Sequence, residues 1–340
     1  MKKTILIFLS GGVDSLITAF ILKKRNSYVI KLLYFRTWVL EGSEFTKCLW
    51  KGDICLVKKA ALKLKDNLHI LNSIKKYKGS VVSYLLNYYK GCLTPNADIR
   101  CNSSVKFNYI LNWSLNNFNQ IIATGHYITI FKTRLGLAKD FIKDQTFFLS
   151  SIGKSKLLFK FFKFPLGRIS KKTVEYLSIN KKFTKQLKFI SSRGLCFFKN
   201  ITFKDFLYKY LGKVSFLMLY FTLGQKLNLN YSSNNSRGCF RILKKNIIKG
   251  RMFVSCKPPL FFRKSFYVYL LSTGLRICLK LGTFFLCKIN HGIFLYKVRV
   301  YRFTKQTAYV CFVERGVCVV PGQPIVFYTK KNLIGSGTTC

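Results

Sequence analysis

Acidic side chains are scarce in this chain: 11 Asp and Glu stand against 59 Lys and Arg, which leaves a formal net charge of +48. A balance this lopsided repels itself unless a polyanion neutralises part of it, so nucleic acid is the first partner to consider. Lys, Asn, Phe, Ile and Tyr are also the residues that A+T-rich codons favour, so a share of the excess belongs to base composition rather than to binding. Long apolar runs are missing as well. The longest candidate, Val214 to Leu223, is about half of the roughly 18–20 residues needed to span a bilayer, which argues against a membrane partner and for a cytoplasmic protein. Met1-Lys2-Lys3 is followed by no small-residue cleavage pattern, so the start is read as a strand rather than a secretory signal. Without such a signal, the 12 cysteines read as thiols in a reducing compartment. No internal repeat and no long low-complexity tract breaks the chain.

A length of 340 residues suits two or three domains. Strand-like runs at Ile5–Leu9, Tyr28–Phe35, Leu68–Leu71 and Gln120–Gly125 alternate with helical segments up to about Phe164, which predicts an α/β domain with a parallel sheet and helices on both faces. A shorter, glycine-punctuated region, 165–231, reads as a small connecting domain. After the hinge-like Ser232-Ser233-Asn234-Asn235-Ser236-Arg237-Gly238, β-rich runs at Lys297–Tyr301, Ala308–Phe312 and Ile325–Tyr328 predict a small C-terminal antiparallel β-barrel or sandwich over 232–340. Aromatics interleaved with lysine, as in Lys160-Phe161-Phe162-Lys163-Phe164, are read as core because they are spread evenly.

Chemistry enters at Ser10-Gly11-Gly12-Val13-Asp14-Ser15, straight after the apolar run Thr4 to Leu9. Two glycines let a backbone approach an anion, two serines offer hydroxyls, and the helix predicted over Leu16–Lys24 aims its positive end at the same spot. The turn suits a pyrophosphate, and it lacks the Gly-Lys-Ser/Thr ending of a Walker loop. It resembles the loop of the ATP-pyrophosphatase superfamily. Two cysteines are candidates for nucleophilic work. Cys101 follows Asp98 by three residues and precedes the helix-like Val105-Lys106-Phe107, where a helix N-terminus would lower a thiol pKa, yet on these residues alone a buried packing cysteine after a Pro-Asn turn is the reading that prevails. Cys196, after Arg193-Gly194-Leu195, reads by itself as a strand residue.

Taken together, these segments resemble the tRNA-specific 2-thiouridylase family over nearly the whole chain. In the family's order come Leu9 to Ser15, Thr94-Pro95-Asn96 through Cys101-Asn102, Ala123-Thr124-Gly125-His126-Tyr127, and Lys143-Asp144-Gln145-Thr146-Phe147-Phe148-Leu149. Phe164-Pro165-Leu166-Gly167, Gly194-Leu195-Cys196-Phe197, Thr222-Leu223-Gly224-Gln225 and Pro321-Gly322-Gln323-Pro324 through Tyr328 complete the series. The resemblance implies an enzyme that installs sulfur on the wobble uridine of tRNA, with glutamate, lysine and glutamine acceptors as substrates and ATP and Mg2+ as cofactors. A cysteine desulfurase or a sulfur-relay protein would supply the sulfur.

The same resemblance assigns roles position by position. Phe8, Leu9, Ser10, Gly11, Gly12, Val13, Asp14, Ser15 and Gly125 would hold ATP, with Phe35 against the adenine. Cys196 would carry a persulfide, Cys101 would be the partner thiol that closes a disulfide with it, and Asp98 would serve as acid or base. Asn96, Ala97 and Asp98 would meet the target uridine; His126, Lys143, Asp144, Gln145, Arg299, Val300 and Gln323 would contact tRNA. No metal-ligand set is assigned. The chain departs from the family at Ser191, at Val214 to Phe216, at Lys226 and at Val300, where the family has a Tyr after the tRNA-contacting Arg.

Cys-x-x-Cys pairs are absent, which weighs against a thiolase built on an iron–sulfur cluster, although Asp98, Cys101 and Cys196 together leave a cluster open. The competing reading is a degenerate, highly basic RNA-binding protein without thiolase activity. Either way, tRNA affinity is expected to fall steeply between low and physiological salt, as counterion release requires. A filter-binding titration across ionic strength checks this; a flat dependence would show that the phosphates do not engage the +48 charge.

Overall fold

The structure, a computed structural model, describes residues 2–37, 49–91, 93–117, 120–131, 133–152, 156–180, 203–211, 221, 225–230, 237–246, 251–255, 262–270, 280–289, 294–314, 317–330 and 332–340. Cys196 and its neighbours, Ser191, Val214 to Phe216, Thr222 to Gly224 and the Ser232–Ser236 part of the predicted hinge lie outside these residues. The chain forms two compact units. The first takes in Met1–Val82, Ala97–Asn200 and Thr329–Ile334; the second takes in Ser83–Asn96, Ile201–Tyr328 and Gly335–Cys340.

The first unit is built on a parallel sheet. Its strands are β1 (Lys3–Phe8), β2 (Tyr28–Arg36), β3 (Leu68–Asn72), β4 (Ile121–Ala123) and, after the hairpin strands β5 (Thr129–Phe131) and β6 (Arg134–Gly136), β7 (Phe162–Lys163). Their order is β3-β2-β1-β4-β7, and each neighbouring pair is parallel. β1 is apolar without alternation because both its faces are covered: Ile5, Leu6 and Ile7 are all fully buried. The helix Val13–Arg25 packs Val13, Leu16, Ile17, Ala19 and Leu22 against one face, and Asn26 ends it in the left-handed conformation. Each large aliphatic buried here contributes about 1.5–3 kcal/mol relative to exposure. On the other face Leu6, Leu33, Leu71 and Ile110 meet, with Phe8 and Phe35 packed at the margin. Because the chain runs from β1 outward to β2 in one direction and to β4 in the other, a switch point lies between β1 and β4. Ligands of such sheets bind there, beyond the carboxyl ends of the strands.

The second unit carries a meander of β8 (Lys226–Asn230), β9 (Arg237–Asn246) and β10 (Arg251–Ser255), so Arg237 and Gly238 open a strand instead of ending a hinge. It also carries the pair β11 (Phe262–Arg263) and β16 (Val317–Cys318). The barrel strands are β12 (Ser265–Leu270), β13 (Phe284–Ile289), β14 (Tyr296–Phe303), β15 (Thr307–Phe312), β17 (Pro324–Thr329) and β18 (Asn332–Thr339). They follow the order β12-β15-β14-β13-β17-β18, and β18 returns to β12 at Val268↔Thr339, closing six antiparallel strands without a free edge. Phe266, Val268, Val298, Val300, Val310 and Phe312 fill the interior, while Tyr267, Tyr269, Arg299 and Tyr301 alternate outward.

The Pro321-Gly322-Gln323 turn at the barrel's end has a local function that its sequence hints at. Gly322 has φ +84°, and a Cβ there would fall 2.9 Å from Leu93 Cβ and from the Thr94 nitrogen, whose N–H donates to Pro321 O. The turn therefore cradles the chain just before Asn96. Gly322→Ala meets both the left-handed penalty and this backbone, so it is expected to cost on the order of 1–3 kcal/mol, read as a lowered denaturation midpoint. An unchanged midpoint would mean that the turn relaxes freely.

Candidate active site

The loop after β1 closes on itself through its serines. Ser15 Oγ donates to Gly12 O at 2.8 Å, the Ser10 N–H donates to Ser15 Oγ at 3.2 Å, and the Gly12 N–H donates to Ser10 Oγ at 3.3 Å. Gly11 adopts φ +80°, which favours glycine. Gly12 is the N-cap of Val13–Arg25 and receives no side-chain cap. The first-turn N–H groups of a helix have no partner within it, so this end is a ready anion site. Gly125 approaches from the loop after β4: a Cβ there would lie 2.9 Å from Asp14 C and from Ser15 N. The loops after β1 and β4 thus meet at the switch point. Phe8 and Phe35, both partly buried at the carboxyl ends of β1 and β2, have ring centroids 6.5 Å apart.

Asp14 is held from two sides. Tyr127 Oη donates to Asp14 Oδ1 at 2.9 Å and Lys171 Nζ to the same oxygen at 2.7 Å. Burial, then Asp14, pushes the Tyr127 phenol far up, so it remains a donor. The sequence reading gave Tyr127 no role and passed over Lys171; the one available signal for Lys171 was a lysine at the start of a helix, where the dipole disfavours it.

Lys143, Asp144 and Gln145 lie in a turn, and they face different ways. Lys143 is exposed. Asp144 is 3 % exposed, accepts from the Ala138 N–H at 3.0 Å and from Thr146 Oγ1 at 2.6 Å, and so organises the turn. Gln145 pairs with the Tyr127 backbone in both directions, each bond 3.0 Å. His126 bonds Thr124 Oγ1 through Nδ1 at 2.8 Å and lies against Phe107, which stacks on the buried Phe162 as the core reading of these aromatics expects.

Cys101 is 2 % exposed and ends the helical stretch Ala97–Cys101, which continues as a π-helix over Asn102–Tyr109 and an α-helix over Ile110–Asn117. The helix therefore begins before the cysteine. The dipole weakens beyond the first turn, so the expected N-terminal activation of Cys101 does not apply as framed. Asp98 sits in that first turn. Ala97 is buried, and Asn102 Nδ2 donates to Phe148 O at 3.2 Å.

In the barrel, Val300 is fully buried and points inward, so its side chain is withdrawn from any surface a polyanion reaches. Tyr301, next in the strand, points outward by the ordinary alternation, and a bulge then interrupts the register between Val300 and Arg302. Arg299 Cζ lies 5.4 Å from the Tyr301 ring centre and 5.5 Å from that of Phe284. An aromatic thus stands beside Arg299 one residue later than the sequence comparison expected. Gln323 closes its turn on Val320 and Thr339. Among the described residues no cluster of three or more His, Cys, Asp or Glu is placed to hold a metal, and no helix is long and apolar enough to cross a membrane.

Two family models match: the tRNA methyl transferase HUP domain over residues 3–200 and the aminomethyltransferase β-barrel domain over 280–339. The tRNA-specific 2-thiouridylase MnmA of Phytoplasma australiense is 30% identical, covering 99% of this chain and 96% of that protein. The chain belongs to the tRNA-specific 2-thiouridylase family. Proteins of the same name from Blochmanniella floridana (29% identical, 99% and 96% covered) and Halalkalibacterium halodurans (30%, 98% and 94%) match equally far. The parallel sheet and closed barrel agree with the architecture expected from the strand pattern, and family membership supports the use of ATP.

The His126 environment has a pH signature. Burial, then the Lys106 charge, lowers its pKa from 6.5 to about 3, so the folded ring stays neutral where the unfolded one protonates. Stability contributed by the neutral ring is complete above pH 6.5 and is lost as pH falls from there toward 3. Wild-type protein is accordingly expected to lose more stability than His126→Gln between pH 7 and pH 4, measured by denaturant unfolding; parallel curves would refute it.

Proposed function

We propose that this chain thiolates the wobble uridine of tRNA to 2-thiouridine at the expense of ATP. The observation that carries the reading is the close approach of Gly125 to the Ser10–Ser15 loop at a helix N-terminus, in a chain matched over 99% of its length by a 2-thiouridylase. A uridine carbonyl oxygen leaves poorly, and AMP transferred to it turns it into a good leaving group. The C2 oxygen would attack the α-phosphorus and expel pyrophosphate. The terminal sulfur of a Cys196 persulfide would then bond to C2 as AMP departs. Attack by the Cys101 thiolate on Cys196 Sγ would break the sulfur–sulfur bond, leaving sulfur on the base and a Cys101–Cys196 disulfide for an external thiol to reduce.

Several placements support this assignment of roles. Backbone and serine hydroxyls line the loop, Phe8 and Phe35 offer an apolar margin for adenine, and Asp98 stands one turn before Cys101. Mg2+ bound with ATP would neutralise phosphate charge, and Asp14 is the carboxylate at the loop that fits such an ion. Cys101 is buried, so its attack requires local opening beside the π-helical stretch that follows it. For tRNA the exposed groups are Lys143, Arg299 and Tyr301. Asn96, Asp98, His126 and Gln323 remain proposed contacts, whereas Ala97, Asp144, Gln145 and Val300 act as frame. Region 165–231 is assigned to a connecting domain carrying Cys196. A cysteine desulfurase or relay protein would load that cysteine in the cytoplasm.

The protein, incubated with ATP, magnesium, a cysteine desulfurase with cysteine, and unmodified glutamate or lysine tRNA, is expected to produce 2-thiouridine detectable by mass spectrometry. Cys196→Ser and Cys101→Ser should each abolish it. Tight tRNA binding with no thiouridine from wild type would instead favour the RNA-binding protein without catalysis.

A further inference from the structure

We propose that Lys171 is a positioning residue of the nucleotide site, acting through Asp14, and that Asp140 holds it in place. This rests on the reading that the Ser10–Ser15 loop takes ATP.

Lys171 opens the helix Lys171–Asn180, whose first turn has no acidic residue. A cation at this end opposes the helix dipole by about 0.3–1 kcal/mol, so local propensity does not account for it. Its surroundings do. Ser170 caps the helix by accepting from the Thr173 N–H at 3.2 Å, and Asp140 Oδ2 accepts from the Lys171 N–H at 2.9 Å. Both contacts fix the Lys171 backbone, and the side chain then reaches Asp14 Oδ1, 157 positions earlier in the sequence. Asp140 uses its other oxygen on the Lys143 N–H at 3.2 Å. The path from Asp14 through Tyr127, Gln145, Lys143, Asp140 and Lys171 is therefore a closed circuit of hydrogen bonds and short chain segments.

The two donors to Asp14 share Oδ1. Among the described residues Oδ2 receives no hydrogen bond, so the clamp fixes the carboxylate plane with one oxygen turned free beside the loop. An unclamped carboxylate would be a mobile negative charge in a cradle meant for phosphates; Lys171 both fixes it and offsets its charge. The pair contributes little to folding. Its side chains are 21% and 37% exposed, and ion pairs this wet are worth about 0–1 kcal/mol. A loss of function in a Lys171 variant is thus separable from a loss of fold.

Binding of ATP with magnesium to the full-length protein, without tRNA, tests this by calorimetry. Wild type must bind first; if it does not, the nucleotide reading itself fails. Given that binding, Lys171→Met is expected to weaken ATP by about tenfold, the scale of one hydrogen bond to a charged group. Its melting temperature without ATP should stay within about 3 °C of wild type, Lys171→Arg should recover most of the affinity, and Asp140→Asn should show part of the loss. In an Asp14→Asn background, where there is no carboxylate to position, Lys171→Met should cost less than about threefold. Unchanged affinity in Lys171→Met, or an equal loss in both backgrounds, would overturn the proposal.

Discussion

The contact between Gly125 and the peptide joining Asp14 to Ser15 is the constraint on which the carboxyl end of the parallel sheet depends. A Cβ at position 125 has no room, since it would stand 2.9 Å from Asp14 C and from Ser15 N. Such closeness requires β1 and β4 to be neighbours with their ends level, and the register Ile5↔Ile121 to Ile7↔Ala123 provides this. With the strands so paired, the chain leaving β4 arrives at the start of the helix Val13–Arg25, and the residues after Gly125 become its lateral support. Tyr127 reaches Asp14 from there, and Gln145 fixes the Tyr127 backbone. A single close approach thereby converts a switch point in the strand order into a tightly closed turn at a helix N-terminus.

What could be read in the chain beforehand follows from which signals are local. β1 announces itself as an uninterrupted apolar run, because a strand covered on both faces has no reason to alternate. The barrel strands alternate, as Phe266, Val268 and Leu270 show against Tyr267 and Tyr269, because only one of their faces is covered. Predicted and observed strand limits differ by a residue or two for the same reason that strand ends fray into turns. Less visible were features created by hydrogen-bond register. The π-helical stretch after Cys101 changes which carbonyl each N–H meets, with no change in composition to betray it. The bulge between Val300 and Arg302 is equally silent: it leaves Tyr301 and Arg302 exposed in succession, where strict alternation would turn Arg302 inward. Within Lys143-Asp144-Gln145 the motif was legible, yet adjacent residues in a turn point apart, and only their partners reveal that Lys143 faces solvent while Asp144 and Gln145 hold the frame.

The scarcity of acid turns out to be the most useful guide to the site. A chain drifting toward Lys and Asn loses carboxylates wherever nothing requires them, so each survivor invites the question of what it holds. Asp14 accepts from Tyr127 and Lys171, Asp140 accepts from the Lys143 and Lys171 N–H groups, and Asp144 accepts from the Ala138 N–H and Thr146. Three of the 11 acidic residues therefore brace one neighbourhood, the loop after β1 and the turn beside it. Asp66 pairs with Lys23 near the far end of the helix Val13–Arg25. Buried or half-buried carboxylates with two donors each are costly to replace, because their donors would be left unmatched. Their positions, bracing the helix Val13–Arg25 and the turn that supports it, are therefore the ones at which loss of a carboxylate would leave the most donors unmatched.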